Sequence, residues 1–267
     1  MAMYVTPQLA AEYSAIADPY SRLWSPVIRP MALPILEMLP LAKAREILDV
    51  GAGTGELFKD LRSRAPHARV TEVDRSQGML RVAQARGGAL LAVMDAQRLA
   101  LADAAFDVAV CIFVLFHLPD PVKALRELRR VLRPGAEIGT VTWGNDPGPP
   151  GVAIWREALD AAGAGPDPRD PSIMQHARMN SAAKVDALLA EAGFTVIRAQ
   201  GRRVEHRFTV ESLLTVQLRC GLASRRLPSL ATETQARCRA QVEERLRRLS
   251  AEELVYRPEV IFAVARR

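Results

Sequence analysis

A short β-forming run that empties into three alternating glycines limits what this chain can fold into more than any other feature. Residues Ile47 to Leu57 read Ile-Leu-Asp-Val-Gly-Ala-Gly-Thr-Gly-Glu-Leu, and a helical pattern follows at once. Glycine tolerates φ > 0 and lets the backbone approach a ligand with no Cβ in the way. A strand, a glycine loop and a helix in that order belong to parallel α/β sheets, which bind small molecules at the carboxyl edge of their strands. Gly51, Gly53 and Gly55 have the spacing G-x-G-x-G, whereas dinucleotide enzymes use G-x-G-x-x-G. Asp49 stands just ahead of the first glycine, where a carboxylate repels a pyrophosphate and attracts a cation. The loop suits a positively charged ligand.

From Ala44 to Gly144 strand and helix patterns alternate, which predicts a parallel sheet. Strands are expected at 46–50, 69–74, 89–94, 106–113 and 136–143, with helices near 54–64, 76–86 and 120–132. Pro119 and Asp120 open the last helix, and Arg133-Pro134-Gly135 ends it. Loops are expected at 145–151 and 163–171, then a helix at 181–192, a strand at 194–207, helix over 209–250 and a closing strand from Glu259 to Ala265. The chain thus divides into an N-terminal helical lid segment (1–43), a cofactor-binding sheet core (44–144), a lid insertion (145–180) and the end of the sheet (181–267). The last part carries a helical insertion at 209–255.

Bulk properties narrow the function classes. The net charge of +6 is largely arginine, and residues 219–248 are rich in it. On the helix expected near 231–249, Cys238, Val242, Leu246 and Leu249 form an apolar stripe, and Glu243–Arg247 and Glu244–Arg248 are i, i+4 pairs. A solvated face accounts for these arginines, including Arg225 and Arg226, and no aromatics are interleaved for base stacking. Every apolar run is interrupted by charge before it reaches membrane-spanning length, and the N-terminus has no signal-peptide pattern. Three scattered cysteines, with no C-x-x-C, give no disulfide framework and no metal site, so a reducing cytoplasm is the expected setting.

Acids end the next two strands. Asp74, at the tip of Val70-Thr-Glu-Val-Asp, is placed to accept from ribose hydroxyls, or else to cap the helix opening at Ser76. Asp95 could accept from an exocyclic amine, or serve an ordinary turn. Glu72 has the parity of Asp74 and is expected near solvent at the strand end.

Together these segments resemble the class I S-adenosylmethionine-dependent methyltransferases, in the small-molecule branch that includes the ubiquinone/menaquinone methyltransferases. The resemblance rests on Ile47–Leu57, Val70–Leu80, Met94–Val108 and Phe116–Gly135. It implies an α/β, Rossmann-like, seven-stranded, mostly parallel sheet with an antiparallel last strand, helices on both faces and a helical lid. The implied cofactor is S-adenosyl-L-methionine, with S-adenosyl-L-homocysteine as product. Its implied contacts are Asp49, Gly51, Ala52, Gly53, Gly55, Asp74, Arg75, Met79, Asp95, Ala96 and Ile112. Asp49 would lie near the ammonium end, Asp74 on the ribose, Met79 against the adenine, and Asp95 with Ala96 at the adenine edge. Glu72, Ala100 and Ala136 depart from the family pattern without touching the glycine loop.

The resemblance leaves the methyl acceptor open. His117 after the fourth strand is the best-placed candidate base, with a structural role as its alternative. Tyr13, Tyr20, Trp24, Trp143 and His176 are candidate walls of the substrate pocket, Trp155 is a further lid aromatic, and His206 a weaker base. The expected function is methylation of a small organic molecule at O, N or C. The rivals are a cofactor-binding protein of the same fold without methyl transfer, an oxidoreductase, and an RNA methyltransferase. The Asp/Asn-Pro-Pro-aromatic motif of base N-methyltransferases is missing after the fourth strand, which argues against those enzymes more sharply than the basic charge argues for nucleic acid. Oligomeric state stays open between monomer and homodimer.

Overall fold

Consecutive residues of a strand face opposite sides of its sheet, so a strand buried at every position must be covered on both faces. Ile47, Leu48, Asp49 and Val50 are all buried, as are Val108 to Cys111 and Val260 to Ala265. The computed structural model describes residues 2–88, 90–144, 146, 148–169 and 175–267, with side chains from residue 8 onward. Helices α1 (Ala2–Ala15), α2 (Ala17–Pro19), α3 (Ser25–Ala32) and α4 (Pro34–Glu37) precede β1 (Glu46–Val50). Then come α5 (Phe58–Arg64), β2 (Arg69–Asp74), α6 (Gln77–Ala85), β3 (Leu90–Val93), β4 (Phe106–Ile112), α7 (Pro121–Val131) and β5 (Leu132–Trp143). The chain continues through α8 (Val152–Ala161), α9 (Ala182–Glu191), β6 (Thr195–Arg203), β7 (His206–Arg207), α10 (Val210–Arg219), α11 (Leu222–Arg226), α12 (Thr232–Arg247), β8 (Val255–Tyr256) and β9 (Glu259–Arg266).

Seven strands form one sheet in the order β3-β2-β1-β4-β5-β9-β6, with β9 antiparallel to both neighbours. This is the expected Rossmann-like arrangement, and it places the carboxyl ends of β1, β2, β3 and β4 along one edge. Among the described residues no helix is long and apolar enough to cross a membrane.

The first two strands have the expected bounds, and the differences elsewhere have local causes. Gly51, Gly53 and Gly55 take φ of +74°, +57° and +71°, so residues 51–57 form turns and the helix expected from 54 starts at Phe58. β5 begins at Leu132 because Leu132 pairs with Phe106 across a register shift, and Arg133 is ion-paired with Asp107. The strand expected to reach 207 stops at Arg203, and β7 turns off the sheet to pair with β8. Residue 89 of the expected third strand lies outside the described residues, as do 145, 147, 170 and 171 of the two expected loops.

Glu72 corrects the expectation of exposure. β2 lies between β1 and β3, and Glu72 sits beside Asp49 in register, fully buried, with neither carboxyl oxygen hydrogen-bonded. A Cβ on Gly88 would lie 2.5 Å from Glu72 Oε2, so a glycine there leaves room for the carboxyl. Burial pushes Glu72 up to about 7. The cap of α6 is Ser76, whose hydroxyl accepts from Met79 N at 3.2 Å, which leaves Asp74 free for other work.

The N-terminal helices close over the carboxyl edge. Ser14 of α1 meets α6 at Gly78, where a Cβ would lie 2.6 Å from the Ser14 backbone, and Ser14 Oγ lies 2.8 Å from Ser76 Oγ. Beyond α2 the helix widens into a π-turn at Tyr20–Trp24, with Ser25 N donating to Tyr20 O. That local insertion re-aims the side chains of one turn, and Tyr20 and Trp24 both face the cavity described below.

Candidate functional site

The strand ends enclose a cleft of about 170 Å³, lined by Asp49, Gly51, Ala52, Gly53, Asp74, Arg75, Met79, Asp95, Ala96 and Ile112. These are the expected cofactor contacts except Gly55, which packs instead on α6: a Cβ there would lie 2.9 Å from Ala83 Cβ. The loop is bent over β2 by hydrogen bonds from Gly51 N and Ala52 N to Val73 O, at 2.7 and 3.1 Å. A Cβ on Gly51 would collide with Val114 Cγ2 at 2.2 Å, whereas one on Gly53 would meet open space. Gly53 is therefore where a ligand can lie against bare backbone.

Two acids shape the charge of the cleft. Asp74 accepts from Gly53 N at 2.9 Å and from Ser76 N at 2.7 Å, which ties β2 to the glycine loop. Burial raises its carboxyl, and those donors partly offset the rise. Asp49 is buried and makes no side-chain hydrogen bond among the described residues. Burial first, then the neighbouring Glu72 and Asp74, hold its carboxyl well above the ordinary range. A cation beside Asp49 would restore its ionised form and neutralise the crowded acids. An unpartnered buried carboxyl under an open glycine cradle fits a ligand with an ammonium or sulfonium centre. Asp95 is partly engaged, accepting from Arg75 Nη1 at 2.7 Å and from Gln97 N at 3.0 Å.

A second cavity, about 970 Å³, adjoins the cleft, and Tyr13, Tyr20 and His117 line both. Tyr13, Tyr20, Trp24, Trp143 and His176, the candidate walls of a substrate pocket, all line this one cavity. Trp143 stacks on Phe113 at 4.3 Å, and His176 stacks on Phe116 at 4.3 Å. His117 Nε2 lies 3.0 Å from Tyr13 Oη, and its Nδ1 is buried with no hydrogen-bond partner. Burial, reinforced by His176 and Arg169, takes His117 down to about 3. Burial likewise takes Tyr13 up to about 12. Both are uncharged at neutral pH.

Other expectations are corrected. Trp155 is fully buried in the core and takes no part in the cavity wall. His206 packs edge-on against Phe208 on β7, outside both linings. The arginines of α12 are solvated as expected, Arg247 pairing with Glu243 at 2.6 Å. Arg225 and Arg226 are not on that face: they sit on α11 and line the larger cavity, Arg226 only 8% exposed. The sequence offered no period to separate these two from the run that follows. The bond from Tyr256 Oη to Asp146 Oδ2, at 2.6 Å, joins residues 110 apart and had no local signal either.

Residues 48–139 match the family model described as a methyltransferase domain. The chain is 35% identical over 189 residues to a malonyl-(acyl-carrier protein) O-methyltransferase of Geobacter sulfurreducens, covering 69% of this chain and 66% of the relative. It is 34% identical over 149 residues to a ubiquinone biosynthesis O-methyltransferase of Idiomarina loihiensis, covering 50% and 59%. The chain thus spans about two thirds or less of these curated relatives. In fold it is similar to the (4+2)-cyclase SpnF, with a TM-score of 0.56, 22% identity, and coverage of 89% of this chain and 80% of that one. Residues 48–139 are a methyltransferase domain, and in sequence and fold the chain resembles the class I S-adenosylmethionine-dependent methyltransferases of the ubiquinone and menaquinone branch.

Proposed function

We propose that this protein is an S-adenosylmethionine-dependent methyltransferase acting on a small organic molecule held in the larger cavity. The observation that carries the reading is the buried, unpartnered Asp49 beneath the open Gly53 cradle. Asp49 would hold the ammonium end of the cofactor, Asp74 the ribose, Met79 the adenine face, and Asp95 with Ala96 the adenine edge. When bound, the cofactor supplies an electrophilic methyl group and a sulfide leaving group.

The chain's own residues then have the task of aligning a nucleophile in a water-poor space. Holding reacting atoms in line lowers the barrier by roughly 7–11 kcal/mol in favourable cases. Tyr13 and His117, at the junction of the two spaces, are placed to orient the acceptor through hydrogen bonds. A histidine held at about 3 is a weak base, so His117 acts in this reading as a neutral positioning group. If Nε2 accepts from Tyr13, the proton resides on Nδ1, which is then a buried donor awaiting a partner.

The test has two arms. Calorimetry with S-adenosyl-L-homocysteine should show micromolar or tighter binding. Incubation with S-adenosyl-L-methionine and a mixed small-metabolite extract should release S-adenosyl-L-homocysteine. Binding without release across such extracts would favour the rival, a protein that binds the cofactor and transfers no methyl group. No binding at all would sink both.

A further inference from the structure

The larger cavity contains a charge arrangement that methyl transfer itself does not use. Arg169, in the loop after α8, and Arg225, on α11, converge on one carboxylate. Arg169 donates to Asp167 from Nε at 3.1 Å and Nη2 at 2.8 Å, and Arg225 from Nε at 3.1 Å and Nη2 at 3.0 Å. Burial alone would raise the Asp167 carboxyl, but the two guanidiniums outweigh it and hold it at about 2. Two permanent cations thus share one anion, leaving one positive charge in excess. The side chains of Arg169 and Arg225 are only 24% and 20% exposed. Neither Nη1 group has a partner among the described residues.

Among the described residues the cavity lining carries four arginines and four acids, so the excess is local to the cluster around Asp167. Arg226 is paired with its own acid, donating to Asp160 at 2.6 Å and also to the carbonyls of Ala164 and Gly165. Asp146, a further acid of the lining, accepts from Tyr256 Oη at 2.6 Å. Arg156 also lines the cavity without a partner among the described residues. Glu12, the remaining acid, is at the exposed rim beside Gln8. The charge of Arg169 is felt at Tyr13 and His117, which line both spaces, and at His176. The same cavity wall carries flat ring faces, Phe116 stacked with His176 and Phe113 stacked with Trp143.

We infer that the acceptor is a planar, carboxylate-bearing molecule whose anionic group is held by the Nη1 edges of Arg169 and Arg225, which have no partner among the described residues, while its ring lies among the cavity aromatics. The inference rests on the methyltransferase reading of the same site and adds the class of acceptor. Arginine pairs select planar oxyanions because their N–H groups lie in one plane at the spacing of a carboxylate. A neutral ester of the same shape forgoes the charge and the second acceptor oxygen.

The test compares hydroxybenzoic, aminobenzoic and hydroxycinnamic acids with their methyl esters. Binding is read by tryptophan fluorescence in protein saturated with S-adenosyl-L-homocysteine. At least one acid should bind about tenfold or more tightly than its ester, as expected for a charge-assisted pair. Arg169→Gln and Arg225→Gln should each bring that ratio to within about threefold of unity. Asp167→Asn separates a clamp from a simple structural bridge. It removes the competing anion, so acids should bind as tightly as before or more tightly, whereas a purely structural bridge predicts loss in all three variants. No acid exceeding its ester, or a preference that survives Arg169→Gln/Arg225→Gln, overturns the inference. A protein that fails to bind S-adenosyl-L-homocysteine instead fails the underlying reading.

Discussion

The strand-end cleft and the larger cavity, proposed as donor and acceptor sites, share a wall at Tyr13 and His117, yet they are assembled in opposite ways. The cleft is built from the ends of successive strands, so Asp49, the glycine loop, Asp74 and Asp95 lie within 47 residues of one another. Parallel pairing brings those ends side by side whatever the side chains do. The cavity is gathered from α1, the π-turn, the ends of β4 and β5, the loop after α8, α11 and β8. These elements, distant in sequence, are brought together through packing, α1 and α11 contributing four residues each. The donor half therefore depends on backbone geometry, and the acceptor half on side chains that can change without disturbing the sheet. Substitutions in the two halves should separate cofactor affinity from turnover.

The largest effect expected is from Gly53→Arg. Its Cβ meets open space, so the fold survives at a cost of about 1 kcal/mol for a left-handed non-glycine residue. The long cation then fills the cradle above Asp49 and competes for it. Affinity for S-adenosyl-L-homocysteine should fall at least about 100-fold, near 2.7 kcal/mol, in calorimetry. Wild-type affinity in this variant would break the division into halves at its strongest point.

Glu72→Gln sharpens the comparison from within the donor half, because Glu72 backs the cleft without lining it. Its carboxyl rises from about 4.5 in the unfolded chain to about 7 in the fold. The folded state therefore binds the extra proton between those values, and stability falls as pH rises through that window. The contribution is full below about pH 4.5 and lost above about pH 7, with a magnitude of the order of 3 kcal/mol. Thermal melts of the ligand-free protein should show the parent losing several degrees more than Glu72→Gln between pH 5 and pH 8, the fall that remains in the variant belonging to the raised carboxyls of Asp49 and Asp74. Parallel curves for the two proteins would show that Glu72 does not carry the effect.

Asp74→Ala comes next. It leaves Gly53 N and Ser76 N without their acceptor and removes the expected ribose contact. An affinity loss of about 1–3 kcal/mol, roughly tenfold to 100-fold, is expected in the same calorimetric titration.

What could be read from the sequence follows the same division. The glycine loop, Asp74 and Asp95 were legible because strand period, loop composition and helix start recur at fixed offsets along the chain. Gly55 looked the same as Gly51 and Gly53 in that pattern, yet contact with Ala83 sets it apart. The exposure expected of Glu72 was misread because alternation gives the side of the sheet a residue faces and says nothing about what covers that side. The aromatic wall was legible in part, since Tyr13, Tyr20 and Trp24 stood in the expected N-terminal lid segment and Trp143 at the end of the expected fifth strand. Trp155 had the same credentials and proved to be core. The Arg169–Asp167–Arg225 arrangement was illegible, because 58 residues separate Asp167 from Arg225 and nothing local distinguishes Arg225 from the solvated arginines after it.

Tyr13→Phe gives the smallest effect and the sharpest contrast. The ring stays, so packing against Tyr20 and His117 is kept, but His117 Nε2 loses its 3.0 Å partner. With Nδ1 already unpartnered, the imidazole is free to turn, and its hold on the acceptor weakens. Because Asp49 and the glycine loop are untouched, cofactor affinity should stay within about twofold while turnover falls about threefold to tenfold, the worth of one neutral hydrogen bond. In the parent, His117 is held at about 3 and is already neutral at pH 5, so turnover should show no histidine limb near pH 6.5. A limb there that disappears in His117→Asn would make the histidine a working base and move it from the lid's positioning apparatus into the chemistry.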